Sequence, residues 1–73
     1  MKNKMLTLSP EIGNRVKFYV QVPLQNVGIT GEARIGEVVK VNEATFIVID
    51  EGGREYCIGR KWSSNATYLP KIM

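Results

Sequence analysis

Apolar residues recur at every second position along much of this chain, which is the period of a β-strand that buries one face. In residues 15–22 the even positions hold valine or phenylalanine, whereas the odd positions hold arginine, lysine, tyrosine and glutamine. This alternation predicts a first strand at 15–22, with the even side chains turned toward a core.

The middle of the chain is predicted to form a β-hairpin. Residues 34–41 have an extended pattern, and 42–44 connect them to 45–50, which is dense in β-branched and aromatic residues. The adjacent valines at 38–39 interrupt strict alternation, so we expect a β-bulge there or a strand covered on both faces. Gly36 is expected to let the backbone bend sharply.

Two more strands are predicted to follow the hairpin. Residues 50–53 read Asp-Glu-Gly-Gly and tolerate the left-handed conformations of a tight turn, so 54–58 become the returning strand. A turn with a short 3₁₀ segment is expected at 59–65, before a last strand at 66–69 that Pro70 ends. The pattern therefore predicts an all-β chain with five strands.

The remaining residues are interpreted as a loop and an arm. Residues 23–31 contain a proline and two glycines, which predicts a long loop after the first strand. Residues 1–14 are predicted to be an N-terminal arm, in which Ser9 and Pro10 allow one short helical turn. Residues 15–73 are then a single domain.

Two stretches of the chain resemble the SH3-like small barrels of prokaryotic and phage proteins. Residues 36–48 match the pattern G-x-V-x-x-V-N-x-x-T-x-x-V, and residues 53–58 match G-x-x-Y-x-V with isoleucine in the last place. The resemblance implies a small five-stranded SH3-like barrel, with a long loop after the first strand and a short 3₁₀ turn before the last strand.

Barrels of this architecture suggest two kinds of ligand. KOW-type barrels suggest nucleic acid, although residues 30–34 of this chain carry one charge of each sign where a basic loop is usual. Tudor-type barrels suggest methylated peptides, held by an aromatic cage. The rings available for such a cage, at least two of which the core needs, are Tyr19, Tyr56, Trp62 and Tyr68.

The 73-residue chain has a net charge of +3, one cysteine and no histidine, which removes most catalytic chemistries. Histidine-based dyads, triads and metal sites are excluded, and Cys57 cannot form an intrachain disulfide. Asp50 and Glu51 are explained by turn chemistry, and the glycines after them lack the lysine and serine of a phosphate loop. We expect a non-enzymatic protein without cofactor or metal, in which Cys57 is a small, partly buried hydrophobe.

The sequence also predicts where the protein resides. The apolar run at 5–8 is shorter than the roughly 7 to 15 residues of a secretory signal core. No stretch reaches the roughly 18 apolar residues that a membrane-spanning helix needs. We expect a cytoplasmic protein that does not associate with membranes.

Basic residues concentrate toward both ends of the chain. Residues 1–30 hold four basic and one acidic residue and residues 56–73 hold three basic and none acidic, whereas residues 31–55 hold three basic and six acidic. If the chain ends lie close together, these cations form one face that attracts phosphates. The alternative is that they are scattered solubilising groups.

A basic and aromatic cluster is the candidate nucleic-acid site. Arg60, Lys61 and Trp62 interleave charge and ring as single-stranded nucleic-acid binders do, and Arg15 and Lys17 are candidates for the same face. The structural alternative is that Trp62 closes the small core while its two basic neighbours point to water.

The apolar residues of the predicted loop are the candidate protein-binding site. Leu24, Val27 and Ile29 mark an interaction surface if they are exposed together, and otherwise they cover the barrel mouth. An edge strand of an open barrel offers a further route, by pairing with a partner peptide or a second copy. We rank a protein-binding or regulatory accessory module, of the kind phages and mobile elements encode, above a nucleic-acid-binding barrel.

Overall fold

The structure of the chain, a computed structural model, describes residues 4–24 and 28–73, with backbone only for residues 23, 24, 29 and 30. These residues form β-strands and no helix, as the alternation predicts. The strands are β1 (Met5–Thr7), β2 (Arg15–Leu24), β3 (Gly28–Val41), β4 (Thr45–Asp50), β5 (Glu55–Gly59), β6 (Lys61–Ser63) and β7 (Lys71–Ile72).

The strands form two antiparallel sheets. Five of them lie in the order β5-β4-β3-β2-β7, and β1 pairs with β6 in a separate sheet. Within the described residues no ladder joins β5 to β2, so the barrel is not closed. The large sheet nevertheless curls, since the ring of Phe18 on β2 is brought within 4.9 Å of the ring of Tyr56 on β5. We call the unpaired gap between β2 and β5 the seam.

The core lies on the concave face of the large sheet. Its buried apolar residues come from β2, β3, β4 and β5, and they are Val16, Phe18, Val38, Phe46, Val48 and Ile58. Leu8, Val20, Val41, Tyr56 and Trp62 pack around them and are partly exposed. The inward face predicted for the first strand is therefore confirmed.

The predicted long loop after the first strand is wrong. β2 continues to Leu24 and β3 begins at Gly28, so the described residues of this segment belong to a long pair of antiparallel strands. Pro23 does not interrupt β2, and the reason is geometric. The carbonyl of Arg15 accepts a hydrogen bond from Met73 on the β7 side, so odd residues of β2 direct their backbone away from β3. The N–H that Pro23 lacks would point to that side, and no β2–β3 bond is lost.

The predicted hairpin of β3 and β4 is confirmed, including the bulge. The register shifts between Val38 and Lys40, which leaves Val39 as the extra residue. Gly36 pairs with both neighbouring strands, and the sharp bend expected there stays a prediction. Its role is close approach, since a Cβ there would lie 2.9 Å from the carbonyl oxygen of Ile49.

The two ends of the chain differ from the prediction. Residues predicted as a 3₁₀ turn include β6, which pairs with β1 in the segment interpreted as an arm. The last strand is β7, beyond Pro70, rather than residues 66–69. Ala66 instead donates its backbone N–H to Ser63 in a turn. The pairing of β1 with β6 was not predicted, because both strands are too short to show alternation.

The helical turn allowed in the N-terminal arm is also absent from the described residues. The chain turns at 11–14, where the backbone N–H of Asn14 donates to Glu11 and the side chain of Asn14 accepts from the N–H of Glu11. Gly13 has a φ of 95° in this turn, a conformation that glycine adopts without strain. The turn leads the chain from β1 into β2.

Candidate functional site

An aromatic groove of about 200 Å³ opens along the seam. Its lining comes from both strands that border the seam, from β6 and from the segment before β7. The lining residues are Phe18, Tyr19, Cys57, Ile58, Gly59, Trp62, Tyr68 and Pro70. We call this feature the seam groove.

Two of the rings in the seam groove lie against glycines, one through a hydrogen bond and the other through the space that a missing side chain leaves. The indole N–H of Trp62 donates to the carbonyl of Gly59 at 2.7 Å, which fixes the ring beside the end of β5. The ring of Tyr68 lies 5.1 Å from that of Tyr19 and passes over Gly31. A Cβ at Gly31 would lie 3.2 Å from the Tyr68 ring, so the missing side chain leaves room for it.

The backbone of β5 has an unpaired side that faces the seam. The carbonyl of Arg54 and the N–H of Arg60 both bond toward β4. The backbone N–H and C=O groups of the even residues of β5 therefore point to β4, and those of the odd residues point away from it. The carbonyl of Gly59 is capped by the Trp62 indole. Within the described residues no strand lies beyond β5, which leaves the N–H and C=O of Cys57 without a ladder partner.

The backbone of β2 faces the seam from the other side. β7 pairs with β2 only at Val16 and Lys17. Beyond that point, the odd residues Tyr19 and Gln21 direct their N–H and C=O toward the seam, and the described residues supply no strand to receive them. The seam groove therefore borders the unpaired edge of β5 on one side, and on the other side Tyr68 and Pro70 lie near Phe18 and Tyr19 of β2.

Positive charge flanks the end of the seam groove at β7. Lys17 and Lys71 are direct cross-strand neighbours, and the Nζ of Lys17 lies 6.0 Å from the centre of the Tyr19 ring. Within residues 4–24 and 28–73 the one ion pair joins Arg34 and Glu32, so neither lysine is neutralised there. Like charges placed directly opposite each other on a sheet destabilise it.

The cations predicted to form one face occupy different elements. Arg15 is opposite Glu37 in the β2–β3 ladder, and Lys61 is an exposed residue of β6 opposite Thr7. Trp62 is partly buried against the core, and one side of it lines the seam groove. Trp62 thus combines a contact with the core and a surface on the seam groove.

Arg60 holds the fold together at a point where three segments meet. Its Nε donates to the carbonyl of Leu8 at 2.8 Å, and one Nη donates to the carbonyls of Asn42 at 2.9 Å and Glu43 at 3.3 Å. The backbone N–H of Leu8 in turn donates to the carbonyl of Arg60. These contacts tie the segment after β1 to the turn between β3 and β4.

We expect Arg60→Ala to lower the free energy of unfolding by about 1–3 kcal/mol, because hydrogen bonds from a charged donor to backbone carbonyls are lost. Urea unfolding monitored by circular dichroism measures this change. Lys61→Ala is the matched control, since Lys61 is exposed, and its stability should stay within about 0.5 kcal/mol of the parent. Equal stability of the two variants would contradict the structural role of Arg60.

The structure describes only part of the apolar residues that were predicted to form a protein-binding surface. Val27 lies outside the described residues. Leu24 and Ile29 belong to β2 and β3, where Leu24 is opposite Gly28 and Ile29 is opposite Pro23, and their side chains lie outside the description. Their binding role stays a prediction.

Three residues of the seam groove were missed or interpreted differently from sequence. Cys57, expected to be partly buried, is exposed. Tyr19 and Tyr68 are 38% and 52% exposed, which is high for rings that contact each other. The signals in the sequence were the placement of Tyr19 among the polar, outward positions of the first strand and the availability of Tyr19, Trp62 and Tyr68 as rings for an aromatic cage.

The turn between β4 and β5 is fixed by Asp50. Its Oδ1 accepts the backbone N–H groups of Gly52 and Arg54, and its Oδ2 accepts the hydroxyl of Tyr56 at 2.9 Å. The hydrogen bond from Arg54, followed by those from Tyr56 and Gly52, holds the pKa of Asp50 below its ordinary value. Asp50 is thus committed to positioning β5, and with it one side of the seam groove.

Two wider depressions of about 300 and 320 Å³ border the same turn. They share Ile35, Asp50 and Glu51 and contain no aromatic residue. The seam groove differs from them in combining rings with unpaired backbone.

The part of the chain that the structure describes contains no cluster of three histidine, cysteine or acidic side chains suited to holding a metal ion. Nor do those residues include a helix with the length and hydropathy to cross a bilayer. Comparison of the chain with family models, with curated proteins and with solved structures found no match.

Proposed function

We propose that this protein is a non-enzymatic module that binds a partner protein by receiving an extended segment of it as an added strand in the seam. The observation that carries the proposal is the unpaired backbone of Cys57, which borders a groove lined by Tyr19, Trp62 and Tyr68. In strand addition, main-chain hydrogen bonds supply affinity and pockets for alternate side chains supply specificity.

The seam offers both contributions at one place. A strand laid beside β5 would bond to the N–H and C=O of Cys57, while its other edge would face Tyr19 and Gln21 of β2. Its side chains would meet Trp62 and Tyr68, and aromatic rings contribute large contact areas to binding sites. The occupied seam would complete the SH3-like barrel that the sequence resembles.

The proposal predicts that a proline at position 57 weakens binding strongly while a serine there does not. Cys57→Pro removes the N–H that faces the seam, but it leaves the β4–β5 ladder intact, because Tyr56 and Ile58 make those bonds. Linear peptides selected from a display library against the parent protein serve as the probe. We expect Cys57→Pro to weaken their binding about tenfold or more, since a main-chain hydrogen bond and close strand contact are lost.

Trp62 reports the binding, because it lines the seam groove and is the one tryptophan of the chain. Its emission should change on titration of the parent and of Cys57→Ser, and amide hydrogen exchange at Cys57 should slow in the complex. Gln21→Pro, with Gln21→Ala as control, tests the facing edge in the same way. Equal affinity of all the proline and control variants, or a selection that yields no binding peptide, would refute strand addition.

A nucleic-acid-binding function is the second candidate, favoured by Lys17 and Lys71 beside the exposed rings of Tyr19 and Tyr68. Phosphate contacts and base stacking together would make binding strongly dependent on salt. Titration of Trp62 emission with single-stranded and duplex DNA at low and moderate salt tests it. Salt-sensitive quenching that Cys57→Pro does not alter would favour this candidate over strand addition.

A second copy of the chain is a further occupant of the seam to be tested, since unpaired edges also pair with each other. Sedimentation over a range of protein concentrations distinguishes it. A dimer that Cys57→Pro dissociates would assign the seam to self-association in place of a partner peptide.

A further inference from the structure

We infer that the partner segment carries an acidic side chain, aspartate or glutamate, at the end of the seam groove that lies beside β7. This inference rests on the proposed strand addition and names the chemistry of the partner that the seam accepts. The juxtaposition behind it is that of Lys17 and Lys71 with the rings of Tyr19 and Tyr68.

The two lysines stand where an added strand would end. β7 occupies the seam next to Val16 and Lys17, and the groove begins immediately beyond it, at Phe18, Tyr19 and Pro70. Lys71 directly follows Pro70, so one lysine lies on each of the two paired strands at the groove's end. A side chain at the corresponding end of the peptide would lie between them.

The lysine pair is unfavourable in the free protein. Cross-strand neighbours of like charge repel each other, and within the described residues no acidic side chain forms an ion pair with either one. Glu32 is already paired with Arg34, and both belong to β3, which pairs with the other side of β2. A carboxylate from outside would remove the repulsion and gain two attractive contacts, which is charge complementarity of the kind that fixes register.

The unpaired backbone favours a peptide over a nucleic acid as the source of the anion. Phosphates could also neutralise Lys17 and Lys71, but a nucleic acid has no regular row of N–H and C=O groups to satisfy Cys57 and Gln21. An acidic peptide satisfies both the lysines and the strand edge. The same segment therefore accounts for all the unpaired groups that border the seam.

The test compares a selected peptide with its carboxamide counterpart, in which glutamate is replaced by glutamine and aspartate by asparagine. The protein variants are Lys17→Gln, Lys71→Gln and the double variant. Lys61→Gln is the matched control, because it removes the same charge from an exposed position of β6. Binding is measured by Trp62 emission at low and moderate salt. Thermal unfolding of each free variant is measured in parallel.

We expect acidic residues to be enriched at one end of the selected peptides, and the double variant to bind them about tenfold more weakly with a shallower dependence on salt. The carboxamide peptide should bind the parent and the double variant alike, and Lys61→Gln should bind as the parent does. Neither Lys17→Gln nor Lys71→Gln should lower the unfolding temperature, because each relieves repulsion. Weaker binding without loss of stability separates recognition from a structural role.

Other outcomes overturn the inference, and they are distinguishable from failure of the proposed function. If Cys57→Pro abolishes peptide binding but the lysine variants do not weaken it, strand addition stands and the acidic partner is wrong. If the lysine variants weaken only the binding of single-stranded DNA, the cations serve nucleic acid and the inference fails. If no peptide binds at all, the proposed function fails first.

Discussion

Phe46→Ala is expected to leave the protein predominantly unfolded in water at room temperature. Phe46 is fully buried in β4, the strand between β3 and β5, and its cross-strand neighbours are Val41 and Ile58. Truncation of a buried phenylalanine to alanine typically costs about 3–5 kcal/mol, from lost burial and from the cavity left behind. A core in a domain of this size rarely supplies more than about 3–5 kcal/mol in total.

Circular dichroism and the emission of Trp62 check this prediction. Loss of the β-sheet spectrum and a red shift of the emission are expected together, because Trp62 packs against the same core. Ile12→Ala is the control, since Ile12 is 71% exposed and its truncation leaves no cavity. A Phe46→Ala variant that unfolds cooperatively, with stability within about 1 kcal/mol of the parent, would show that the core lies elsewhere.

The part of the fold that the sequence predicts well is the part built from local contacts. β3, β4 and β5 follow one another through short connections, so alternation and turn residues are enough to define them. The Asp50 turn and the bulge at Val39 were both expected from residue type alone. Each of these features depends on neighbours within a few positions along the chain.

The seam groove could not be predicted because its walls are distant in sequence. The rings of Tyr19 and Tyr68 lie 5.1 Å apart, and Gly31 leaves room for the Tyr68 ring. Nothing near any one of these residues indicates the other two. Trp62 and the two tyrosines were available as rings for an aromatic cage, but no sequence pattern indicates that they meet in one groove.

The basic residues show that proximity along the chain does not by itself place side chains on a shared surface. Arg60 and Lys61 are adjacent in sequence, yet the guanidinium of Arg60 turns inward to backbone carbonyls while Lys61 is exposed. Arg60 lies in the bend between β5 and β6, whereas Lys61 is the first residue of β6. The cations that do lie together, Lys17 and Lys71, are brought together by β2–β7 pairing.

Gly36→Ala is expected to destabilise the protein by about 1–3 kcal/mol, even though alanine is the smallest substitution available. The added Cβ would lie 2.9 Å from the carbonyl oxygen of Ile49, 3.2 Å from its carbonyl carbon and 3.3 Å from the Cβ of Val48. The first two of these atoms are backbone of β4, which cannot move aside without disturbing its pairing with β3. The strain must therefore be shared by both strands.

Gly59→Ala is the matched control, because Gly59 is also in a strand but a Cβ there meets nothing within 4 Å. Chemical unfolding of both variants measures the difference, and Gly59→Ala should equal or exceed the parent in stability, since alanine loses less backbone entropy on folding. Equal stability of the two variants would mean that β3 and β4 can separate at Gly36 at little cost. In that case close approach to β4 would not be the reason for a glycine at position 36.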